Sequence, residues 1–209
     1  MADLMTEREV LAQWNKMQRD FEIKRKMNSQ NLILWTRAGV IPQPIGGGGW
    51  GRRKKFARET AAEIFAAVSC IEAVHLTLAQ LRSVRDLGLV LETAPDFTPE
   101  NSAAEIKRLH DAFAGKEFFA VNAMSWLKYK NIGLQYLFDQ QLSDRQKFFD
   151  TEDFKFFVIG LASGCYKGYA IDERGEVVKP IDAPEPADVL QKFTEAESTP
   201  APLAAKARE

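Results

Sequence analysis

At 209 residues, with 45% hydrophobic and 11% aromatic residues, the chain has room for one or two folded domains with a substantial core. No apolar run approaches the ~20 residues needed to span a bilayer, and the first residues are charged rather than signal-like, so we expect a cytoplasmic protein without membrane contact. The net charge of -1 conceals an uneven distribution, because the segment from Lys16 to Arg58 holds eleven basic and two acidic residues, about plus nine locally.

A segment this basic is typical of a nucleic-acid surface, because each Lys or Arg that neutralises a phosphate releases a condensed counterion. On charge alone, a solvated face without a partner is an equal interpretation. The elements that carry the charges therefore decide between the two.

The first predicted element is an amphipathic helix over residues 4–26. Its apolar residues recur at intervals of four, three and four: Val10, Trp14, Met17 and Phe21. Three cations, Lys24, Arg25 and Lys26, fall at the predicted C-terminal end. Cations stabilise that end of a helix, and they could also contact a phosphate backbone there.

A short helix follows, from a polar cap at Asn28 to a stop at Gly39. Gln30 and Asn31 lie in its first turn, where such side chains can pair with adenine in the major groove; the alternative is that the polar residues only cap the helix. After two prolines, the glycines at 46–49 permit positive φ and lead through an aromatic into four cations. The sequence predicts a flexible basic finger, and it lacks the Gly-Lys-Ser/Thr of a phosphate loop.

Two more helices are predicted after the finger. The first covers residues 59–75, and the second begins at a capping box of Thr77 and Gln80 and ends before Gly88. Residues 91–100 contain two prolines and small polar residues, which indicates a linker between domains.

The second half is predicted to be an α+β domain. A helix begins near Ser102 and stops near Gly115, and one or two helices cover residues 118–142. The segments 154–161 and 165–172 indicate strands of a small antiparallel unit, continued after a turn by Val177 and Val178. Residues 183–209 are rich in Pro, Ala and Glu and are expected to be disordered.

No pattern favours catalysis or metal binding. The residues that most often ligate metals or attack substrates are scattered: Cys70, Cys165, His75 and His110. The carboxylates of Asp150, Glu152 and Asp153 are interpreted as a polar connection between elements. We therefore expect no enzyme, no cofactor and no metal.

The short helix and the finger resemble the winged helix-turn-helix of the MerR family of bacterial transcription regulators. The resemblance covers residues 5–90 and rests on a helix ending Arg37-Ala38-Gly39-Val40-Ile41-Pro42 and on a wing formed by Gly49, Trp50, Arg52, Arg53 and Phe56. Two features depart from the family: Ile33 and Leu34 stand where it usually has Arg and Tyr, and Gly51 lengthens the wing.

We expect a mainly α fold with a small β component. The resemblance implies that its N-terminal domain (1–90) is a winged helix-turn-helix, and the residue patterns described above add a linker (91–100), a C-terminal α+β domain (101–182) and a tail (183–209). The resemblance also implies a homodimer with a seam in residues 102–130, for which the candidates are Ile106, Leu109, Phe113 and Trp126; the alternative is that these side chains fill an internal core. The C-terminal domain would take any small-molecule effector or protein partner.

The expected function is sequence-specific regulation of transcription through double-stranded DNA. The alternative is a DNA-architectural or partition-type factor that recruits a protein through its C-terminal half. In both cases the DNA-binding residues are predicted to be Lys24, Arg25, Lys26, Gln30, Asn31, Arg37, Arg52, Arg53, Lys54 and Lys55.

Overall fold

The computed structural model describes residues 4–46, 54–94, 102–139 and 152–163, with short stretches at 141, 146–147, 165–166, 169–171 and 177–178. These residues form seven α-helices and five short strands, so the predicted mainly helical fold with a small β component is confirmed for them. The chain divides into two compact units: Met1–Thr93 with Lys116–Gln141, and Ala94–Gly115 with Leu142–Glu209. No helix in the described ranges is both long and apolar enough to cross a membrane.

The first unit begins with the head, which comprises β1 (Leu4–Thr6), α1 (Glu7–Asp20), α2 (Ser29–Arg37) and β2 (Lys55–Ala57). The two strands pair antiparallel over all three residues. Thr6 and Glu9 form a capping box at the start of α1, and the Asn28 side chain accepts the N–H of Asn31 at the start of α2. The predicted cap at Asn28 is confirmed.

The first helix is shorter than the predicted range of 4–26. Its first three predicted residues form β1, and the helix ends at Asp20, shortly before Glu22 takes a left-handed conformation with φ 54°. The predicted core residues of this helix are buried at three positions, Val10, Trp14 and Met17. Phe21, the fourth, is the C-cap and is 38% exposed. The cations of residues 24–26 therefore lie in the connection between α1 and α2, not on the last turn of a helix.

The chain continues with α3 (Thr60–Val74), α4 (Leu78–Glu92), α5 (Ser102–Phe113) and α6 (Glu117–Phe138). In the first unit, α3, α4 and α6 form the bundle, and α5 belongs to the second unit. Eleven of the fifteen residues of α3 are buried, as expected for a helix that contacts α1, α4 and α6. The predicted helix pair is confirmed, including the capping box of Thr77 and Gln80 on α4.

The prediction that α4 ends before Gly88 is wrong. The helix continues through this glycine to Glu92, and Gly88 is buried against the indole ring of Trp126 on α6. A Cβ at Gly88 would overlap Cε3 of that ring and lie 2.9 Å from Cζ3. The glycine is present because two helices approach closely, not because the backbone turns.

The position of α6 also changes the predicted division of the chain. The sequence predicts one boundary at 91–100, but α6 lies beyond that segment and packs in the first unit. At Gly133 the approach is again close, since a Cβ there would lie 3.0 Å from Cα of Ala62 on α3. Of the predicted linker, residues 91–92 end α4, while 95–100 lie outside the described residues.

The second unit contains α5, α7 (Glu152–Ser163), β3 (Cys165–Tyr166), β4 (Tyr169–Ile171) and β5 (Val177–Val178). The predicted strand at 154–161 is wrong, because these residues lie within α7. Helical spacing puts four large buried side chains of α7 on one side: Phe154, Phe157, Val158 and Leu161. The helix packs on α5, and the N–H of Gly115 donates to the carbonyl of Ala162 at 2.7 Å.

The predicted small antiparallel unit is present as three strands in the order β3, β4, β5. Two of them replace the single strand predicted at 165–172, with Cys165 opposite Ala170. The predicted turn at 173–176 and the tail at 183–209 lie outside the described residues.

The residues predicted to form a dimer seam are buried inside their own chain. The exposed fractions are 9% for Ile106, 1% for Leu109 and 0% for both Phe113 and Trp126. The range 102–130 is also not one helix, because Gly115, with φ 67°, lies between α5 and α6. These side chains complete the cores of the two units, so a two-fold contact would need other residues.

Candidate nucleic-acid interface

The short helix α2 has one buried and one exposed face. Leu32, Trp35 and Thr36 are buried, and the Thr36 hydroxyl donates to the carbonyl of Leu32 at 2.7 Å. The exposed side chains recur at positions i, i+3, i+4 and i+7, which is one face of a helix: Gln30, Ile33, Leu34 and Arg37. A helix with one free face of this kind can enter a groove of matching width.

The two predicted base-reading residues differ in placement. Gln30 is exposed on the free face of α2. Asn31 is half-buried, and its side-chain amide lies 3.5 Å from the carbonyl of Lys26, in the connection that precedes the helix. Gln30 is therefore better placed than Asn31 to contact an external partner.

The exit from α2 is held in place by local hydrogen bonds. Gly39 has φ 73°, its N–H donates to the carbonyl of Thr36 at 3.1 Å, and the N–H of Val40 donates to the carbonyl of Trp35 at 2.9 Å. The side chain of Gln43 donates to the Thr36 carbonyl at 2.6 Å. The predicted stop at Gly39 is confirmed, and the chain leaves α2 along a fixed path.

The basic finger lies between two paired residues. The N–H of Ile45 donates to the carbonyl of Lys55 at 2.7 Å, and the N–H of Lys55 donates back at 3.1 Å. Because Lys55 also pairs with Thr6 of β1, the pair formed by Ile45 and Lys55 lies on a small sheet. Lys54 is exposed, whereas the predicted contacts Arg52 and Arg53 lie outside the described residues.

Four of the predicted cations are exposed and have no acidic partner in the part of the chain that the structure describes. Among the described residues, no carboxylate lies within ion-pair distance of Lys24, Lys26, Arg37 or Lys54. Uncompensated charges at a surface attract a polyanion, and the attraction weakens with salt.

The other two predicted cations that the structure describes have neighbours of their own. The backbone N–H of Arg25 donates to Glu72 of α3 at 3.1 Å, and its guanidinium lies 5.7 Å from the ring centroid of Trp35. Lys55 is half-buried beside Glu9 and contributes to lowering the pKa of that carboxyl, after the larger effect of its hydrogen bonds from Thr6. These two positions help to hold the head together.

Sequence reasoning missed the apolar part of the exposed face. Ile33 is 40% exposed and Leu34 is 52% exposed, although both stand in a run of apolar residues that reads as one core segment. The signal was present in the spacing, since Leu32 and Trp35 point to one side of a helix and Ile33 and Leu34 to the other.

The described residues contain no group of three or more His, Cys, Asp or Glu side chains that could hold a metal. Burial raises the pKa of the Cys70 thiol to about 12, which keeps it protonated and unreactive at neutral pH. His75 is the exposed C-cap of α3, with φ 54°.

Comparison of the chain with family models, with curated proteins and with solved structures gives no match in any of the three.

Proposed function

We propose that the chain is a sequence-specific DNA-binding regulator of transcription, acting in the cytoplasm, whose head is a winged helix-turn-helix similar to that of the MerR family. The observation that supports it best is the free face of α2 beside cations that have no carboxylate partner among the described residues. In this proposal α2 enters the major groove and the loop of residues 46–54 is the wing.

The dimensions and charges of the head suit this role. The major groove is about 12 Å wide and admits one α-helix, while duplex DNA carries one negative charge per ~1.7 Å of its axis. Phosphate contacts are assigned to Lys24, Lys26, Arg37 and the wing cations Arg52, Arg53 and Lys54. Gln30 is assigned to base contact, with Asn31 as a secondary position.

The wing is tested by removing two cations and measuring binding to a fluorescent duplex over a range of salt concentrations. Replacing Arg52 and Arg53 by Ala should weaken binding to every sequence and reduce the salt slope by about 0.9 for each phosphate contact that is removed. The matched control replaces Lys107 and Lys128 by Ala, which removes the same charge outside the basic segment. Equal effects of the two double substitutions would reject a specific wing surface.

Regulation is distinguished from the architectural alternative by the sites that the protein selects. Sequencing of the fragments bound from genomic DNA should give a palindrome near promoters for a regulator, because a two-fold dimer reads paired half-sites. Many irregular sites would favour the architectural or partition-type role.

We also propose that the full chain is a homodimer, as the paired half-sites require. Sedimentation of the full chain at micromolar concentration should give the mass of a dimer. A fragment that ends near the linker is unsuitable for this measurement, because it lacks α6 and therefore part of the core of the first unit. A monomer under these conditions would reject the homodimer.

A further inference from the structure

The middle of the free face of α2 is hydrocarbon. Ile33 and Leu34 are 40% and 52% exposed, and they stand between Gln30 at one end of the face and Arg37 at the other. Neither side chain can donate or accept a hydrogen bond. If this face enters a DNA groove, its centre can contribute only apolar contact.

The major groove presents one strongly apolar group, the 5-methyl of thymine. The other base edges there present N7 or O6 acceptors and N–H donors, which would lose hydration against Ile33 and Leu34 without a compensating bond. An apolar pair therefore favours thymine at the positions it covers and disfavours guanine and cytosine.

The charges around the pair favour a nucleic acid over a protein as the partner. Arg37 shares the face, and Lys24 and Lys26 precede the helix, all exposed and without a carboxylate at ion-pair distance among the described residues. A protein surface with a complementary apolar patch would also need acidic groups at both ends of it, whereas duplex DNA supplies phosphates along both edges of the groove.

We propose that Ile33 and Leu34 determine sequence preference by contacting thymine 5-methyl groups in the major groove. This inference rests on the proposed DNA binding and adds which base the centre of α2 recognises. Gln30, one turn earlier on the same face, would contact an adjacent base pair.

The test uses the full chain and the duplex recovered in highest yield by selection from a random-sequence library. This duplex is resynthesised with uracil in place of each thymine in turn, which removes only the 5-methyl group and preserves base pairing. At one or more positions the affinity should fall about fourfold for each methyl group that α2 no longer covers. The substitutions Ile33→Ala and Leu34→Ala should make the thymine and uracil duplexes bind equally at those positions.

The matched control is Val121→Ala, which shortens an aliphatic side chain that is 44% exposed on α6. It should leave the difference in affinity between the thymine and uracil duplexes unchanged.

If uracil has no effect at any position, or if the Ala variants lose the same affinity for both duplexes, methyl recognition is rejected while DNA binding stands. If instead the variants keep their DNA affinity and lose self-association, the face contacts protein, and the inference is again rejected. Failure to recover any duplex rejects the proposed function itself.

Discussion

The head and the bundle belong to the same unit but use charged residues in opposite ways. In the bundle, Lys130 of α6 lies 2.6 Å from Glu92 of α4 and 3.9 Å from Glu63 of α3, and Arg85 of α4 lies 2.7 Å from Glu63. The side chains of Lys130 and Glu63 are only 8% and 7% exposed. In and beside the head, by contrast, Lys24, Lys26, Arg37 and Lys54 stand at the surface with no carboxylate at ion-pair distance among the described residues.

The difference follows from solvation. A charge removed from water must be paired, since its desolvation costs roughly several kcal/mol, and each buried cation of the bundle has its carboxylate on a neighbouring helix. These pairs link α3, α4 and α6. The exposed cations of the head remain hydrated and available to an external anion. Composition alone could not separate the two uses.

The difference between the two regions is tested most directly by replacing one cation in each of them. Lys130→Met should lower the free energy of unfolding by about 1.5–3 kcal/mol, because the half-buried carboxylate of Glu92 loses its partner and the buried carboxylate of Glu63 keeps only Arg85. DNA affinity, measured where the variant is folded, should be unchanged. Urea denaturation and duplex binding are the two measurements.

The complementary change in the head is Lys54→Met. It should alter stability by less than about 0.5 kcal/mol, since the side chain is exposed, and should weaken DNA binding at low salt. If Lys130→Met and Lys54→Met change stability and DNA affinity to the same extent, the cations of the two regions do not have different roles.

A second prediction concerns the close packing of the bundle. Gly88→Ala should destabilise the protein by about 1–3 kcal/mol, because the added methyl overlaps the ring of Trp126. Trp126→Leu provides the control, since the cost of Gly88→Ala should shrink when the ring is absent. If the destabilisations by Gly88→Ala and Trp126→Leu, measured by thermal unfolding, are purely additive, the ring does not cause the cost of Gly88→Ala.

Gly88 also shows why part of the fold could not be predicted. Local signals were sufficient where the cause is local, as at the Asn28 cap, the Gly39 stop and the capping box of Thr77. The cause at Gly88 is an indole ring from a helix far along the chain, whereas the commonest role of a glycine near a predicted helix end is to stop the helix.

The error at residues 154–161 has a different origin. The segment is rich in aromatic and β-branched residues, which indicates a strand by composition, but the buried residues Phe154, Phe157, Val158 and Leu161 have helical spacing. The spacing of the apolar residues was therefore a better guide to the secondary structure of this segment than its composition. For the candidate site, the sequence predicted the cations and the short helix. The exposure of Ile33 and Leu34 could have been predicted only from the helical spacing of the apolar residues around them.

A third prediction compares the helix caps of the two regions. Asn28→Ala in the head and Thr77→Ala in the bundle should each lower the free energy of unfolding by about 1 kcal/mol, because each leaves a first-turn N–H without its side-chain acceptor. The control is Ser83→Ala on an exposed position of α4. If only Thr77→Ala lowers the free energy of unfolding, the head unfolds separately from the bundle.

The smallest expected effect is the pH dependence of the cap on α1. The pKa of Glu9 lies below its ordinary value of 4.5, mainly because its carboxylate accepts the backbone N–H of Thr6, with further contributions from the Thr6 hydroxyl and Lys55. A lowered folded pKa contributes stability above the unfolded pKa, and this contribution is lost as the pH falls through the folded value.

Glu9→Gln should therefore reduce stability slightly at neutral pH, and the difference from the natural chain should vanish as the pH falls below 4.5. Glu7→Gln is the control, because it removes a first-turn carboxylate outside the capping box. A difference for Glu9→Gln that grows toward acid pH would contradict the assignment.

The place of α6 in the first unit has a consequence during synthesis on the ribosome. When Thr93 has left the exit tunnel, α3 and α4 are complete, yet the helix that covers Gly88 and Ala62 has not emerged from the tunnel. At about 5–20 residues per second, the interval before Gln141 emerges lasts several seconds. During that time the nascent chain exposes an apolar surface, and we expect chaperones that bind near the tunnel exit to recognise it.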